Sequence, residues 1–270
     1  MNPLVSVIVP TRNSAATLER CLQSIGQQTY KEIEIIVVDN NSSDKTTEIA
    51  KRFTSKVFIH GPERSAQVNY GVKQSSGEYV YKVDSDFILD KDVVTQCVQK
   101  INKGYDVVVV HNTPDETISW IAKVRKFEVD MYKYDITHSS ARFLKRSVYK
   151  AIGGFNEGIV AGEDYDLQNK LNRAGFKTGF IEAEAVHIGE PTSIYKHMYK
   201  YFLYGKDLVY FRELKQLEAS RQLGFFRNIY FKNWRKFIHH PFLSSTFVLY
   251  HTCKFTIGGA GYLFGSINKV

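Results

Sequence analysis

The residues best suited to chemistry are two acids, spaced one residue apart, near the first third of the chain. Asp84 and Asp86 end an apolar run that begins at Gly77 and is typical of a buried strand. On an extended backbone, residues two apart face the same side, so we expect both carboxylates to reach one divalent cation. Carboxylate oxygens suit Mg²⁺ or Mn²⁺, which complete their shells with water and substrate phosphates. The spacing indicates a diphosphate-binding metal site, with an ordinary strand-end turn as the alternative.

A second acidic group lies at the start of a predicted helix. Gly162 to Leu167 reads Gly-Glu-Asp-Tyr-Asp-Leu, which places Glu163, Asp164 and Asp166 in the first helical turn. Acids there stabilise a helix by capping it and by compensating its dipole, so the pattern alone leaves a structural role open.

Elements that position these acids alternate along the first two thirds of the chain. Apolar runs predict strands at residues 4–9, 33–38, 57–59, 77–87, 107–110 and 140–145. Helical patterns lie between them or follow them, at 18–25, 44–53, 64–74, 91–103, 120–134 and 162–175. This alternation predicts the α/β class, with a mostly parallel sheet flanked by helices. Ligands of such sheets bind beyond the carboxyl ends of the strands, where Thr11, Asp39 and Asp84 fall.

Composition divides the 270 residues in two. From Pro191 onward there are 12 Lys and Arg against 3 Asp and Glu, and 19 of the 37 aromatic residues. Residues 1–190 are nearly neutral, so we predict a catalytic domain at 1–190 and a basic, aromatic-rich helical extension at 191–270. A basic aromatic segment indicates an anionic partner, either a membrane surface or a nucleic acid.

Three stretches of the extension fit a membrane surface. Residues 192–211 predict an amphipathic helix, and residues 225–237 mix aromatic side chains with cations. Residues 241–267 are long enough to cross a bilayer, but Lys254 lies near their centre. We therefore expect helices that lie in the interface rather than a span. An ordinary helical subdomain is the alternative.

Cysteine usage favours a reducing compartment. Cys21, Cys97 and Cys253 have no metal-ligand spacing, and the amino-terminal run lacks the positive region of a signal peptide. These features predict a cytoplasmic protein, bound peripherally to the inner face of the cell membrane.

Taken in order, the motifs resemble the family-2 glycosyltransferases, which have the GT-A fold and use nucleotide sugars. The matching pieces are Ser6–Asn13, Glu34–Asp44 with Thr46, Ala66, Asn69 and Gly71, then Gly77, Asp84–Asp86, Gly153–Glu157, Gly162–Leu167 and His187. The resemblance covers roughly residues 4–190. Phe87 stands where many members carry a further acid, and Arg12 lies at a variable position.

The resemblance implies a nucleotide site and a metal site. Pro10, Thr11 and Asp39 would cradle the base and ribose, and Asn13, Arg64 and Asp84 would complete the nucleotide site. A surface role for Arg64 is equally open.

Asp84 and Asp86 would hold Mn²⁺ or Mg²⁺, with His187 as a further ligand. A histidine of the core or surface is the alternative for His187.

The resemblance also implies the chemistry. Asp164 would act as general base in an inverting displacement, and Glu163 would bind the acceptor or orient the base, whereas Asp166 serves the helix. The donor would be a UDP- or GDP-sugar carrying a hexose or N-acetylhexosamine, and the acceptor a hydroxyl of a glycan or lipid-linked saccharide.

Four other functions fit parts of the sequence pattern. A polyprenyl phosphate acceptor would need no base, and an inactive glycan- or nucleotide-binding relative would keep the fold. A sugar-nucleotide pyrophosphorylase would have a Gly-rich basic loop after the first strand, which Pro10 to Ser14 does not form. A nucleic-acid-binding protein would leave the acids without a purpose, so no nucleic-acid partner is expected.

Overall fold

A computed structural model describes residues 2–214 and 224–267. The chain forms two compact units, one of Met1–Asn112 with Ser139–Gly189 and the other of Thr113–His138 with Glu190–Val270. The predicted division into a catalytic domain at 1–190 and an extension at 191–270 stays a prediction. In the structure, residues 113–138 pack with the C-terminal part of the chain.

A sheet forms the centre of the N-terminal unit. Its strands are β1 (Val5–Thr11), β2 (Ile33–Asp39), β3 (Val57–Ile59), β4 (Tyr79–Lys82), β5 (Phe87–Leu89), β6 (Val107–Pro114), β7 (Phe143–Lys145) and β8 (Thr178–His187). Their spatial order is β3-β2-β1-β4-β7-β6-β8-β5. Strands β3, β2, β1 and β4 are parallel, whereas β7 is antiparallel to β4 and β6, and β5 to β8. The predicted α/β fold with a mostly parallel sheet is confirmed. The antiparallel pair of β5 and β8 was not predicted.

Helices cover both faces of this sheet. They are α1 (Leu18–Gly26), α2 (Thr46–Lys51), α3 (Arg64–Gln74), α4 (Val93–Asn102), α6 (Arg146–Ala151) and α7 (Glu163–Arg173), while α5 (Trp120–Val129) belongs to the C-terminal unit. Val7 packs in one buried cluster with Leu22 of α1, and its neighbour Ile8 packs in another with Val68 of α3. Because successive strand residues face opposite sides, the two clusters lie on opposite faces.

The central strand is shorter than predicted. Strand β4 ends at Lys82, and Asp84 and Asp86 lie in the following turn, where the N–H of Phe87 donates to the carbonyl of Asp84 at 3.1 Å. The expectation of an extended backbone through both acids is therefore wrong, and the two carboxylates take different hydrogen-bond partners.

The C-terminal unit is helical. It contains α5 and, among the described residues, α8 (Ile194–Leu214), α9 (Asn228–Lys232), α10 (Trp234–His239) and α11 (Pro241–Ile267). Its core gathers Phe127 of α5, Met198 of α8 and Phe247 of α11. Within 2–214 and 224–267, no helix combines the length and the apolar character needed to cross a membrane.

Candidate active site

The ends of β1 and β2 build a buried polar corner. Thr11 donates its hydroxyl to Asp39 at 2.8 Å, and Asp39 also accepts from the backbone N–H of Ser42 at 2.8 Å. Asp39 is fully buried and Thr11 is 2% exposed. Two parallel strands thus end at one polar corner, as expected for a nucleotide site, and Pro10 lies beside it at the end of β1.

Asn13 joins the two loops that follow these strands. Its Oδ1 accepts from the N–H of Ser43 at 2.9 Å, and its own N–H donates to Ser42 at 2.7 Å. Its φ of 49° lies in the left-handed region, which asparagine tolerates. Asn13 was predicted as a nucleotide contact, and here its side-chain oxygen fixes the loop.

Four charged side chains close a ring beyond β4. The guanidinium of Arg142 donates to Asp84 Oδ2 at 2.7 Å and to Asp164 Oδ2 at 2.9 Å. Lys82 Nζ lies 2.9 Å from Asp164 Oδ1 and 3.6 Å from Asp84 Oδ1. Each carboxylate therefore touches both cations, and the lysine side chain is only 3% exposed.

Charge outweighs burial at both carboxylates of this ring. Burial raises the pKa of Asp164, but the charges of Lys82 and Arg142 together have the larger effect and lower this pKa to about 2. Burial also raises the pKa of Asp84, and Lys82, Arg142 and Arg64 hold it well below its usual range. Both groups are ionised at neutral pH.

Arg64 and Glu163 form a pair next to the ring. Arg64 Nη1 donates to Glu163 Oε1 at 3.0 Å, and Arg64 Nε lies 3.9 Å from Asp84 Oδ1. Burial and the charge of Asp164 raise the pKa of Glu163. The structure thus brings together Arg64, Asp84, Glu163 and Asp164, which come from three distant parts of the sequence.

Asp86 faces away from the ring toward His187. Asp86 Oδ2 lies 2.9 Å from His187 Nε2, because β5 and β8 place Phe87 opposite His187. Gly189 lies against this pair, and a Cβ there would run into Asp86 Oδ2. The predicted neighbours of the metal site therefore meet, in a position where the backbone leaves them room.

These residues fit a divalent cation as a partial ligand set. Asp86 and His187 are hydrogen-bond partners at 2.9 Å, and a carboxylate oxygen is the type of atom that Mn²⁺ or Mg²⁺ binds. Asp84 Oδ1 is buried and makes no hydrogen bond with the described residues. No group of three or more His, Cys, Asp or Glu side chains gathers around one point in the described ranges. The chain thus offers two or three ligands, leaving places for water and phosphate.

Sequence reasoning missed three residues. Lys82 and Arg142 complete the charged ring, and Gln67 donates its amide to the carbonyls of Thr11 and Val38, at 2.8 and 2.6 Å, which joins α3 to both strand ends. A signal was present for Lys82, because a lysine in a buried strand rarely occurs without a partner. Arg142 and Gln67 carry no such local signal.

Sequence comparisons identify relatives of the chain. The family model "Glycosyl transferase family 2" matches residues 6–153. An uncharacterized glycosyltransferase of Rickettsia typhi is 28% identical over 216 residues, which are 71% of this chain and 67% of the relative. A GalNAc(5)-diNAcBac-PP-undecaprenol beta-1,3-glucosyltransferase of Campylobacter jejuni is 38% identical over 113 residues, 38% of this chain and 36% of the relative. The chain thus spans about two thirds of the first of these and about one third of the second.

Solved structures share the fold. A mannosyltransferase from Pyrobaculum calidifontis, described in complex with GDP-Man and Mn²⁺, aligns with a TM-score of 0.60 and 18% identity over 100% of this chain and 77% of its own. TarS 1-349 of S. aureus aligns with a TM-score of 0.56 and 20% identity over 76% of this chain and 65% of its own. These likenesses confirm the GT-A-type fold.

The family match covers more than half of the chain and includes the ends of β1, β2 and β4, where the polar corner and part of the charged ring lie. The expectation of a glycosyltransferase is confirmed at the level of the family. The chain belongs to glycosyl transferase family 2.

Proposed function

We propose that this chain is a metal-assisted inverting transferase that moves a sugar from a nucleoside diphosphate to a hydroxyl of a glycan or lipid-linked saccharide at the cytoplasmic surface of a membrane. The observation that carries the proposal is the placement of Asp39 and Asp84 at or just after the carboxyl ends of the parallel strands β2 and β4, with Asp164 bound to the same two cations as Asp84. Lys82 and Arg142, which contact Asp84 and Asp164, supply positive charge that suits a diphosphate, and the carboxylates suit the hydroxyl groups of a sugar.

Donor binding uses two parts of the site. Asp39 accepts hydrogen bonds, which suits a base N–H or a ribose hydroxyl. Arg64, Lys82 and Arg142 supply three cations for the diphosphate, which competes with Asp84 and Asp164 for them. A structure of TarS 1-349 with UDP-GlcNAc and the structure of the Pyrobaculum mannosyltransferase with GDP-Man support a nucleotide sugar as donor.

Asp86 and His187 would hold the divalent cation, with Asp84 as a further ligand. Mn²⁺ or Mg²⁺ bound there supplies Lewis-acid stabilisation of the charge on the leaving diphosphate. The complex of the Pyrobaculum relative with Mn²⁺ supports this assignment.

Asp164 would accept the proton of the attacking hydroxyl. A sugar hydroxyl is a weak nucleophile until a placed carboxylate takes its proton. A carboxylate with a pKa near 2 is a weak base, so we infer that the donor diphosphate draws Lys82 and Arg142 toward itself and raises the pKa of Asp164 before the acceptor attacks. Glu163, with its raised pKa, would hold the acceptor next to Asp164.

The acceptor class follows from the presence of a base. A phosphate acceptor is already anionic and needs no proton acceptor, whereas a hydroxyl needs one. The Campylobacter relative, named for a diphosphate-linked undecaprenol saccharide, supports a lipid-linked saccharide. A polyprenyl phosphate acceptor is the second candidate, because the cations of the ring suit an anionic nucleophile too.

Binding and turnover test the proposal separately. We expect Mn²⁺ to raise the melting temperature of the chain with UDP or GDP, since a ligand at about 100 times its Kd adds about 2.7 kcal/mol. Asp86→Asn should weaken Mn²⁺ binding in calorimetry and abolish metal-dependent transfer. Unchanged Mn²⁺ affinity in the variant would show that the metal site lies elsewhere.

A further inference from the structure

Helix α11 turns its basic groups inward. Lys254 donates to both carboxylate oxygens of Glu128 on α5 at 2.8 Å, and the side chains of Lys254 and Glu128 are 11% and 7% exposed. His251 is 3% exposed, and burial together with Lys254 lowers its pKa to about 4. Lys254, whose place in the sequence counts against a membrane span, therefore does not face outward.

The opposite face of α11 is exposed and carries no charge. Exposed residues recur every three or four positions and are Phe242, Ser245, Leu249, Thr252, Thr256, Gly259, Leu263 and Ile267. Phe242 is 76% and Ile267 is 73% exposed. At 1.5 Å per residue, the face is about 40 Å long. A helix in water normally places charged residues on such a face, so this one suits a less polar environment.

Glycines bring α8 and α11 close together. A Cβ on Gly205 of α8 would run into the carbonyl of Gly258, and a Cβ on Gly261 would run into the carbonyl of Phe202. Backbones that touch through small residues are how helices pack in lipid, where no hydrophobic effect drives association. The close packing of α8 and α11 is thus compatible with an apolar environment.

The segment before α11 adds aromatic residues and cations. Phe231, Trp234 and Ile238 are 67%, 55% and 64% exposed, and Lys232, Arg235 and Lys236 beside them are also exposed. The sequence has no Asp or Glu between residues 224 and 267. Interleaved aromatic and basic side chains are typical of the headgroup level of a bilayer.

We propose that the outer face of α11, together with α9 and α10, is a docking surface for a lipid bilayer with anionic headgroups. Leu249 and Leu263 of α11 enter the acyl boundary, and Lys232, Arg235 and Lys236 bind the headgroup phosphates. The helix lies along the membrane rather than across it. This surface deepens the proposed function by assigning its membrane partner to particular residues, and docking itself requires no sugar transfer.

Charge favours lipid over a second copy of the chain. Another copy would also cover an apolar helix face, but in a two-fold contact of this surface with itself the basic residues would meet no Asp or Glu, because the sequence has none between residues 224 and 267. An anionic lipid surface instead attracts each of these basic residues, by about 1 kcal/mol, or roughly fivefold in partition.

Vesicle flotation of the full chain tests the surface. Changing Lys232, Arg235 and Lys236 together to Gln should lower partition onto phosphatidylserine-containing vesicles by on the order of 100-fold, with little change on phosphatidylcholine alone. Phe242→Ser with Leu249→Ser should lower partition onto both vesicles by at least about 100-fold. Ile59→Ser, a matched loss of an exposed apolar side chain in the N-terminal unit, should change neither. Circular dichroism confirms that each variant is folded.

Partition equal to that of the unchanged chain in both docking variants would overturn the proposal. The proposal would also be overturned if light scattering showed a dimer that the same substitutions dissociate, while the unchanged chain does not bind vesicles. Donor hydrolysis without vesicles is measured in parallel. A chain that floats as expected but hydrolyses no UDP- or GDP-sugar supports the docking surface and contradicts the transferase instead.

Discussion

Both carboxylate oxygens of Asp164 accept hydrogen bonds from cations, one from Lys82 and one from Arg142. A carboxylate in that state is held in place and ionised, but it accepts a proton poorly. Its strength as a base therefore depends on the position of two neighbouring side chains. In the proposed mechanism the anionic donor competes for Lys82 and Arg142, so the donor would have to bind before Asp164 can act as a base.

Replacing Asp164 by Asn tests whether a base is needed. We expect kcat to fall about 10²–10⁴-fold with a hydroxyl acceptor, with the KM of the donor little changed. Glu48→Gln, which removes an exposed acid from the first turn of α2, should leave kcat unchanged. A near-normal kcat for Asp164→Asn would favour the polyprenyl phosphate acceptor.

Replacing Lys82 by Met should shift the pH profile. Apart from burial, Lys82 is the largest influence on Asp164, and it lowers the pKa. Without it that pKa rises, and the carboxylate is lost as the pH falls through the higher value. The acid limb of kcat/KM should therefore move to higher pH.

Lys145→Met, which removes the partner of Asp106 on the same sheet, serves as control for a lost ion pair. If the acid limb of the pH profile is unchanged in Lys82→Met, the protonation of Asp164 does not control kcat/KM.

At the scale of residues, the acids were predictable and their partners were not. Asp39 and Asp84 follow apolar runs, and that local pattern suffices to place them at strand ends. Lys82 and Asp164 are 82 residues apart, and Arg142 and Asp84 are 58 apart. No local pattern encodes such contacts, so the charged ring required the structure.

Among the elements, Glu34 on β2 joins three pieces of chain. It accepts from the N–H groups of Ser76 and Gly77 at 2.7 and 3.0 Å, and from Ser6 and Lys56. Gly77 needs its missing side chain here, because a Cβ would run into Ser6. The Glu34 carboxylate therefore fixes the start of β4 next to β1. Because β4 is only four residues long, this also fixes the position of Lys82 at its end.

Glu34→Gln should lower the free energy of unfolding by about 2–4 kcal/mol at pH 7, since hydrogen bonds to charged groups are worth about 1.5–3 kcal/mol each. Burial raises the pKa of Glu34, but Lys56 and the donated hydrogen bonds lower it from 4.5 to about 2. Its contribution is thus complete above pH 4.5 and is lost as the pH falls toward 2.

Denaturant unfolding at pH 7 and pH 3 checks this dependence, with the exposed Glu32→Gln as control. The difference between Glu34→Gln and the unchanged chain should shrink at pH 3. An equal difference at both values would show that the charge of Glu34 is not what matters.

Strand β8 shows where element prediction failed. Its buried positions include Gly179, Ala183 and Ala185, and such small residues give a weak alternating signal. Strand β5 has only 3 residues and follows directly on the metal motif. Both strands are held by pairing with each other, which a pattern within one strand does not reveal. The parallel strands β1, β2 and β4 were predictable because their apolar runs are buried on both faces.

For the whole molecule, a buried charge network holds the C-terminal unit together. Glu128 of α5 accepts from Lys254 of α11, from Tyr230 of α9 at 3.0 Å and from Tyr132 at 2.8 Å. Burial raises the pKa of Glu128, and Lys254 and Arg227 hold it well below its usual range. Three segments distant in sequence therefore share one carboxylate.

Lys254→Met should destabilise the C-terminal unit by about 3–5 kcal/mol, because it leaves a buried carboxylate short of its cation. Adding Glu128→Gln should recover most of that loss. Unfolding of the two single variants and the double variant, followed by tryptophan fluorescence, gives the coupling. Additive effects would mean that the pair does not interact.

The C-terminal unit takes its residues from two stretches of chain, one of which is inserted between β6 and β7. A hybrid of two relatives joined at residue 190 would therefore combine α5 of one relative with residues 190–270 of the other. Glu128 would then lose Lys254, and the apolar residues of α5 would face side chains shaped for another helix. Residues 113–138 and 190–270 must travel as a pair, so we expect exchange between relatives to succeed only when both stretches come from the same parent.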